Sequence, residues 1–261
     1  VKQVEAVIEP DLVYPLIRGR DVKKWYVEYK NRYIIIPHDS KTGNPISHSD
    51  MKVRYPLAWK YFLNYFNDLI NRGGEPYKSQ LKPYRELGLE KGEQRAPPFY
   101  YIFNVKPAFA PYKVVWKYIA GAITGKASSF ECAVVEPINN KVAIPHEKLM
   151  LIPFHDPEDA YYVAGILNSI IAKTIVASYV IETEISTHIV DIIKIPKYNS
   201  NNDLHKRISK LSRSAHEIAK CLYADIKPDH CRNIRNPEDE LASVEDELDR
   251  AVAQLYGIPE D

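Results

Sequence analysis

A short basic turn near the start of the chain has residue types that suit contact with nucleic acid. Residues 16–25, LIRGRDVKKW, place four cations and a tryptophan around a glycine: Arg18, Arg20, Lys23 and Lys24. A guanidinium at such a turn can donate to a phosphate or to the edge of a guanine. The alternative is a plain surface turn in which an arginine pairs with Asp21.

One segment imitates a catalytic loop but lacks the atom that the chemistry needs. Methyltransferases that modify an adenine amino group use an Asn- or Asp-Pro-Pro-aromatic loop, whose first side chain accepts a hydrogen bond from the flipped base. Here the sequence is Ala96-Pro97-Pro98-Phe99-Tyr100, and alanine offers no acceptor. A glycine-rich cofactor turn and a GxxxxGK[ST] phosphate loop are also missing from the sequence. The motifs therefore predict no complete catalytic site in this chain.

Histidines and cysteines occur, but their spacing matches no standard metal site. The candidates are three isolated histidines and one Cys/His group without a CxxC pair: His146, His155 and His188, and Cys221 with His230 and Cys231. The cysteines number three. This odd count predicts neither a disulfide framework nor a zinc ribbon, and a reducing interior fits it best.

A nuclease site is a further alternative. It needs clustered carboxylates and a lysine near strand ends, and the sequence offers Glu131 and Glu136 with Lys141 downstream. Odd and even positions of a strand face opposite sides, so the two carboxylates are expected to diverge.

Two patterns in the N-terminal half predict regular elements. Residues 31–36, NRYIII, form an apolar run closed by Pro37, which predicts a buried strand. From Tyr55 the period changes, and a helix is predicted that begins at Pro56 and stops at Gly73-Gly74. Its apolar face consists of Leu57, Ala58, Tyr61, Phe62, Tyr65, Phe66, Leu69 and Ile70.

The middle of the chain predicts a compact, mostly antiparallel sheet. Its strands are residues 99–103, 112–119, 130–135, 141–144 and 149–154, with a tight turn at Asn139-Asn140. Residues 157–179 predict a long helix. The most apolar stretch, 163–181, is interrupted by Asn168, Ser169 and Lys173, which favours a core helix over a membrane span. A last strand is predicted at residues 189–195, before Pro196.

Two helices are predicted at the C-terminus, at residues 202–223 and 237–256, with Gly257 and Pro259 ending the second. Each has a one-sided apolar seam, so the two can pair antiparallel or pack against a neighbouring domain. The predicted fold class is α+β: a small twisted sheet with packed helices, followed by a C-terminal helical pair. The predicted domains are 1–198, for target recognition, and 199–261, a spacer or docking hairpin.

Charge is distributed unevenly along a chain whose formal net charge is only +1. Residues 1–130 contain 21 Lys and Arg against 12 Asp and Glu, and residues 236–261 contain nine acids and one arginine. A basic N-terminal half can follow phosphate while an acidic end faces away from it. A basic surface without a partner is the alternative.

Several segments, in a fixed order, resemble those of a known family. They are residues 14–22 (YPLIRGRDV), Tyr100-Tyr101 with residues 111–116 (PYKVVW), residues 161–169 (YYVAGILNS) and residues 193–198 (IKIPKY). They are similar to YPLLRGRDV, YY with PKIIYP, YYLLGILNS and IPIPKY of the C-terminal specificity region in TaqI-like adenine methyltransferases and in type II enzymes that fuse cleavage with methylation. The resemblance spans nearly the whole chain, from about Tyr14 to Tyr256.

The resemblance implies target recognition without chemistry. In the family these segments follow a methyltransferase domain that binds S-adenosylmethionine and flips the target adenine, and this chain lacks that domain. The sequence opens at Val1 rather than Met, which suggests a fragment. The implied function is recognition of a short asymmetric DNA sequence in a cytoplasmic restriction-modification or phage-defence enzyme. A protein-interaction scaffold that docks through the terminal helices remains the alternative from another class, beside the nuclease.

A specificity domain has to grip the duplex while the base is flipped, so its cations are the candidate contacts. They lie at the first turn, before the first helix, on or beside the strands, and before the last strand: Arg18, Arg20, Lys23 and Lys24; Lys52 and Arg54; Lys113, Lys117 and Lys126; and His188. Lys113 and Lys117 are an even number of residues apart, so they are expected to share one face of a strand, with Trp116 on the other.

Overall fold

The computed structural model describes residues 5–118, 130–179 and 187–259, which form a mixed α+β fold, as predicted. The strands in this described part are β1 (Val13–Ile17), β2 (Val22–Lys23), β3 (Tyr26–Val27), β4 (Tyr33–Ile35), β5 (Tyr112–Lys117), β6 (Cys132–Val135), β7 (Ile144–Pro145) and β8 (Leu149–Phe154). The helices are α1 (His48–Arg54), α2 (Pro56–Asn64), α3 (Phe66–Ile70), α4 (Tyr77–Gln80), α5 (Lys82–Gly92), α6 (Pro157–Asn168), α7 (Ile170–Tyr179), α8 (Ile189–Ile193), α9 (Asp203–Tyr223) and α10 (Pro237–Leu255).

The chain folds into two compact units. Unit 1 comprises Val1–Tyr14 and Tyr33–Phe109, and unit 2 comprises Pro15–Arg32 and Ala110–Asp261. These boundaries differ from the predicted division at residue 198, because α9 and α10 belong to the same unit as the sheet strands β5, β6 and β8. The functional division into a recognition domain and a docking hairpin stays a prediction.

Unit 1 is built from helices around an aromatic core. The predicted helix begins at Pro56, as expected, but it breaks at Tyr65 into α2 and α3. The break lets two aromatic rings of successive helices reach the same core: Phe62 stacks on Tyr100 with ring centroids 5.2 Å apart, and Phe66 meets Phe99 edge-on at 4.9 Å. Packing of large rings therefore overrides the continuous helical pattern.

The prediction of a strand at residues 99–103 is wrong. The Pro97-Pro98 pair leads into a turn, in which Tyr101 N donates to Pro98 O at 2.8 Å. Phe99, Tyr100 and Tyr101 are all buried. The segment therefore supplies core side chains to unit 1 rather than sheet hydrogen bonds.

The predicted strand at residues 31–36 is present in a shorter form, as β4. Its burial is concentrated at the end, because Tyr33 is exposed while Ile36 is buried and donates its N–H to Leu12 O at 2.8 Å.

The main sheet of unit 2 is antiparallel, in the order β6-β5-β8. Val114 of β5 lies opposite Val134 of β6 and Ile152 of β8. Alternation along β5 separates two apolar clusters, since Val114 and Trp116 pack with α6 residues whereas Val115 packs with Ala133 of β6. The predicted strands are confirmed as β5, β6 and β8, although β5 ends at Lys117 and β6 begins at Cys132.

Two further short pairings involve residues of unit 2. β1 pairs with β7 in parallel, with Leu16 opposite Ile144, and β2 pairs antiparallel with β3. The predicted turn at Asn139-Asn140 is confirmed: both residues have positive φ, and Ile138 and Lys141 exchange backbone hydrogen bonds across them. Asparagine tolerates this left-handed region better than most residues do.

The helix predicted at residues 157–179 is two helices, α6 and α7, bent by 61° at Ser169. Ser169 has extended backbone angles and accepts a hydrogen bond from Ala172 N through its hydroxyl oxygen, so it caps α7. In the described part of the chain no single helix is long and apolar enough to cross a membrane, although this bent pair passes the same test when it is taken together.

The prediction of a strand at residues 189–195 is also wrong, because residues 189–193 form α8. Ile189 and Ile193 are four residues apart and both are buried, while Asp191 and Ile192 between them are exposed. This spacing buries one helix face, and Lys194 ends the helix with a φ of 52°.

The two terminal helices are confirmed. The side-chain oxygen of Asn202 caps α9 and that of Asn236 caps α10, at 2.9 Å from Leu204 N and 3.5 Å from Asp239 N respectively. α9 packs between α10 and α6. Its contact with α6 is close at Gly165, where a Cβ would lie 3.1 Å from Ile208 Cγ2. The terminal helices are thus an integral layer of unit 2.

The odd cysteine count predicted no disulfide framework, and the described residues contain one disulfide. Cys221, in the last turn of α9, is bonded to Cys231, and their Cα atoms are 5.4 Å apart. The chain folds back after α9 through a short 3-10 helix, Asp229–Asn233, and this brings the two residues together. Cys132 is free and buried.

Candidate nucleic-acid interface

The basic turn of unit 2 is held by a buried carboxylate. Asp21 closes a short 3-10 helix, Gly19–Asp21, and its Oδ2 accepts a hydrogen bond from Arg18 N at 2.8 Å. The same carboxylate pairs with Arg32 at 3.1 Å, and only 3% of the Asp21 side chain is exposed. The Arg–Asp pair considered as the alternative is therefore present, but its arginine is Arg32. The guanidiniums of Arg18 and Arg20 take no part in it.

Arg18 and Arg20 are exposed on this turn. Within the described residues, neither side chain forms an ion pair. Lys117, at the end of β5, comes next to them, because a Cβ on Gly19 would lie 4.0 Å from Lys117 Cγ. Lys117 is exposed as well. The structure thus joins two separate groups of predicted cations on one surface of unit 2.

The backbone of Lys148 lies beside Tyr118, the residue that follows Lys117, although no sequence pattern pointed to Lys148. The parallel β1–β7 pairing continues into a hydrogen bond from His146 N to Ile17 O at 2.8 Å, and Tyr118 N donates to Lys148 O at 3.1 Å. Lys148 is exposed. We call Arg18, Arg20, Lys117 and Lys148 the basic edge.

Among the described residues, no ion pair neutralises the four cations of the basic edge. One exposed carboxylate, Glu147, precedes Lys148 in the sequence. Like charges held together repel one another and attract a polyanion, and a duplex presents phosphates at a spacing that several such cations can contact at once.

The other two lysines of the first turn have partners inside unit 2. Lys23 is exposed, and its Nζ lies 4.4 Å from the centre of the Tyr223 ring. Lys24 forms an ion pair with Glu245 of α10, which also accepts a hydrogen bond from the indole N–H of Trp25. Only 21% of the Lys24 side chain is exposed. This pairing argues against Lys24 as a phosphate contact.

Lys113 lies in the core despite its charge. It is on the same face of β5 as Lys117, as the spacing predicts, but it is fully buried and its Nζ donates to Ala110 O. Burial disfavours the charged amine and lowers the pKa of Lys113 to about 7. Lys113 therefore has no access to a ligand on the surface, and we leave it out of the interface.

Of the remaining predicted contacts, two lie in unit 1 and stay predictions. Lys52 and Arg54 are exposed on α1, with Lys52 Nζ 4.9 Å from the centre of the Trp59 ring and Arg54 donating to Tyr55 Oη at 3.2 Å.

The last two predicted contacts are Lys126 and His188. Lys126 lies outside the described residues. His188 precedes α8 rather than a strand, and it faces Asp191 at 3.6 Å with 88% of its side chain exposed.

The methyltransferase-like loop belongs to the core of unit 1. Phe99 and Tyr100 are buried, and Pro97 O accepts a hydrogen bond from Tyr84 Oη at 3.0 Å. The rings are thus engaged in packing, where no base can stack on them.

The Cys/His group is different, because Cys221, His230 and Cys231 lie together although their spacing matches no standard site.

No protein-family model matches the chain, and no curated protein matches it. Among solved structures, its fold is similar to part of the Type IIL restriction-modification enzyme MmeI, which was determined in complex with DNA. The TM-score is 0.54 and the sequence identity is 12%. The alignment covers 96% of this chain and 29% of that chain, so this chain spans less than a third of the length of that enzyme. At this identity, the likeness shows a shared fold with a portion of a restriction-modification enzyme.

Proposed function

We propose that this chain is a DNA target-recognition module of a restriction-modification enzyme, and that unit 2 contacts the duplex through the basic edge. The observation that carries the proposal is that Arg18, Arg20, Lys117 and Lys148 are all exposed, lie on neighbouring backbone segments of unit 2 and have no ion-pair partner in the described residues. The fold shared with part of an enzyme solved on DNA supports it, as do the ordered sequence segments.

In this proposal the chain reads a short asymmetric sequence for an adenine-N6 methyltransferase and supplies no methyl-transfer chemistry. Ala96 cannot accept a hydrogen bond from the amino group of a flipped base, and the rings that follow it are buried. S-adenosylmethionine would bind in a separate domain of the same protein. The gene region upstream of Val1 is therefore expected to encode a glycine-rich cofactor turn and an Asn-Pro-Pro-aromatic loop.

Binding of the chain to duplex DNA tests the proposal. The chain should bind at roughly micromolar concentration, with affinity falling as salt rises, because each neutralised phosphate releases counterions. In the double variant Arg18→Gln/Arg20→Gln, affinity should fall roughly ten-fold and the slope of log K against log salt should flatten by about 2. Fluorescence anisotropy of a labelled duplex measures both quantities.

The matched control removes two cations that have acidic partners on the helices. Lys206 pairs with Asp203 at 2.6 Å, and Arg207 pairs with Glu247 at 2.8 Å. The variant Lys206→Gln/Arg207→Gln loses the same net charge, so it should retain the affinity and the salt slope if position matters. Equal losses of DNA affinity in both variants would show that binding depends on net charge and not on the position of the basic edge. Salt-insensitive or absent binding of the unaltered chain would favour a protein-interaction scaffold.

A further inference from the structure

A second cluster with chemical potential lies at the end of α9, and the proposed function does not use it. Cys221 is buried in the last turn of that helix, and His230 and Cys231 follow in the 3-10 helix Asp229–Asn233. One ligand atom from each of the three side chains lies within 4.8 Å of the others. Glu217, one turn before Cys221, adds a carboxylate whose Oε2 is 3.7 Å from His230 Nε2.

We propose that, when the disulfide between Cys221 and Cys231 is reduced, these two thiolates bind a zinc-class divalent cation together with His230 and Glu217. Two thiolates, an imidazole and a carboxylate are a ligand set that zinc accepts in tetrahedral sites. The proposal is independent of DNA binding, because it uses none of the residues of the basic edge.

The distances already approach those of such a site. Bonds of about 2.3 Å to sulfur and about 2.0 Å to nitrogen place neighbouring ligand atoms of a tetrahedral zinc site about 3.5 Å apart. His230 Nε2 lies 3.5 Å from Cys221 Sγ and 3.7 Å from Glu217 Oε2. The imidazole nitrogen is therefore separated from one sulfur and from one oxygen by about the distance expected between two ligands of the same zinc ion.

The carboxylate keeps one oxygen for a cation. Lys220 Nζ donates to Glu217 Oε1, and Oε2 is the atom that faces His230. A positive charge on one oxygen orients the carboxylate, as hydrogen bonds to metal ligands commonly do.

The chemistry has two balanced steps. A thiol reductant supplies two electrons and two protons to the disulfide, which becomes two thiols, and the reductant is itself oxidised to a disulfide. The cation then displaces the two thiol protons as the thiolates bind it. Both the disulfide and the metal complex tie the end of α9 to the segment that leads into α10. One cluster would thus hold this junction in either redox state.

Cobalt(II) titration of the full chain tests the proposal. The protein is reduced with dithiothreitol and freed of reductant without oxygen. Cobalt(II) is then added while the visible d–d bands and the thiolate charge-transfer band are followed. The reduced chain should bind one equivalent with both bands, and zinc should displace the cobalt. The oxidised chain should show neither band.

Variants assign the ligands. Cys221→Ser and Cys231→Ser should each weaken cobalt binding by more than about 100-fold, since each removes a thiolate ligand. The matched control is Cys132→Ser, which changes the buried cysteine outside the cluster and should keep both bands. His230→Ala alters an exposed residue, so it should weaken binding without unfolding the chain, as far-UV circular dichroism would show. Absence of the charge-transfer band in the reduced chain, or its persistence in Cys221→Ser, would overturn the proposal and leave the cysteines as a simple disulfide link.

Discussion

Unit 2 contains exposed cations without ion pairs in one region and cations in ion pairs in another. At the basic edge, four cations are exposed without ion-pair partners in the described part of the chain. Near α10, Lys24 and Arg207 are paired with acidic residues instead. Glu245 forms an ion pair with Lys24 and accepts a hydrogen bond from Trp25, and Glu247 forms an ion pair with Arg207. We call this second group of residues the paired face.

The two regions differ in whether their cations are paired rather than in their local composition. The sequence LIRGRDVKKW contributes cations to both regions, since Arg18 and Arg20 belong to the basic edge while Lys24 belongs to the paired face. The acid-rich C-terminal segment is also more than a region that repels phosphate. Its Glu245 holds the β2–β3 turn, and its Asp249 accepts a hydrogen bond from Ile170 N at 2.8 Å.

Acid is expected to destabilise the helical side of unit 2 through His216 of α9. Its Nε2 accepts a hydrogen bond from Val134 N at 3.0 Å, and its Nδ1–H donates to Ser212 O at 2.7 Å. Burial disfavours the imidazolium and lowers the pKa of His216 from 6.5 to about 3. The unfolded chain therefore binds the proton first as the pH falls, and stability that is complete above pH 6.5 is lost down to about pH 3. The loss should be about 2 kcal/mol from about pH 7 to about pH 5.

Urea unfolding at several pH values measures this slope, and His216→Gln isolates it. Glutamine can accept from Val134 N through its side-chain oxygen but does not titrate. The unaltered chain should lose about 2 kcal/mol more than the variant over the same range, while other acid-sensitive groups contribute equally to both. Parallel pH profiles would show that His216 does not link β6 to α9 in the way that the structure describes.

Removal of the Glu245 carboxylate should damage the paired face without weakening DNA binding. Glu245→Ala leaves the buried indole N–H of Trp25 and the ammonium of Lys24 without their acceptor. An unsatisfied buried donor costs about 1–3 kcal/mol, so we expect a loss of about 2 kcal/mol in the free energy of unfolding.

The neighbouring acid provides a control for Glu245. Glu247 pairs with Arg207, and 44% and 48% of these two side chains are exposed, so Glu247→Ala should cost less than about 0.5 kcal/mol. Chemical denaturation compares the two variants, and anisotropy with labelled DNA shows whether binding changes. A fall in DNA affinity in Glu245→Ala would place the paired face in the interface and remove the distinction between the two regions.

Sequence patterns predicted the elements whose signals are local. The one-sided apolar seams predicted α9 and α10, and Asn139-Asn140 predicted its turn. The prediction of a strand at residues 189–195 failed, because a short apolar run suits a strand and a helix equally well. The break at Ser169 was not predicted, for a different reason: in the sequence, a capping serine inside an apolar stretch cannot be distinguished from a polar residue within a continuous helix.

The basic edge could be predicted only in part, since long-range pairing creates it. Arg18, Arg20 and Lys117 were recognisable by type, but the segment that contains Lys148 is brought beside β1 by the parallel pairing of β1 with β7, which no local pattern indicates. The cluster of Cys221 with His230 and Cys231 has the same origin, because the chain reversal after α9 rather than a standard spacing assembles it.

Lys113 and Lys117 offer the sharpest comparison, because they lie on one face of one strand and differ in burial. Lys113 is fully buried and its amine has a pKa of about 7, whereas Lys117 is exposed beside Gly19.

Replacing a buried ionisable group by an apolar one of similar shape is often neutral or stabilising. Lys113→Met should therefore raise the free energy of unfolding by about 1 kcal/mol at neutral pH and leave DNA affinity unchanged. Lys117→Met should change stability by less than about 0.5 kcal/mol but flatten the salt slope of DNA binding by about 1. Denaturation and anisotropy on the same pair of variants measure both effects. If Lys113→Met weakened DNA binding as much as Lys117→Met, the buried amine would have to reach the surface, and exposure would no longer explain which cations bind.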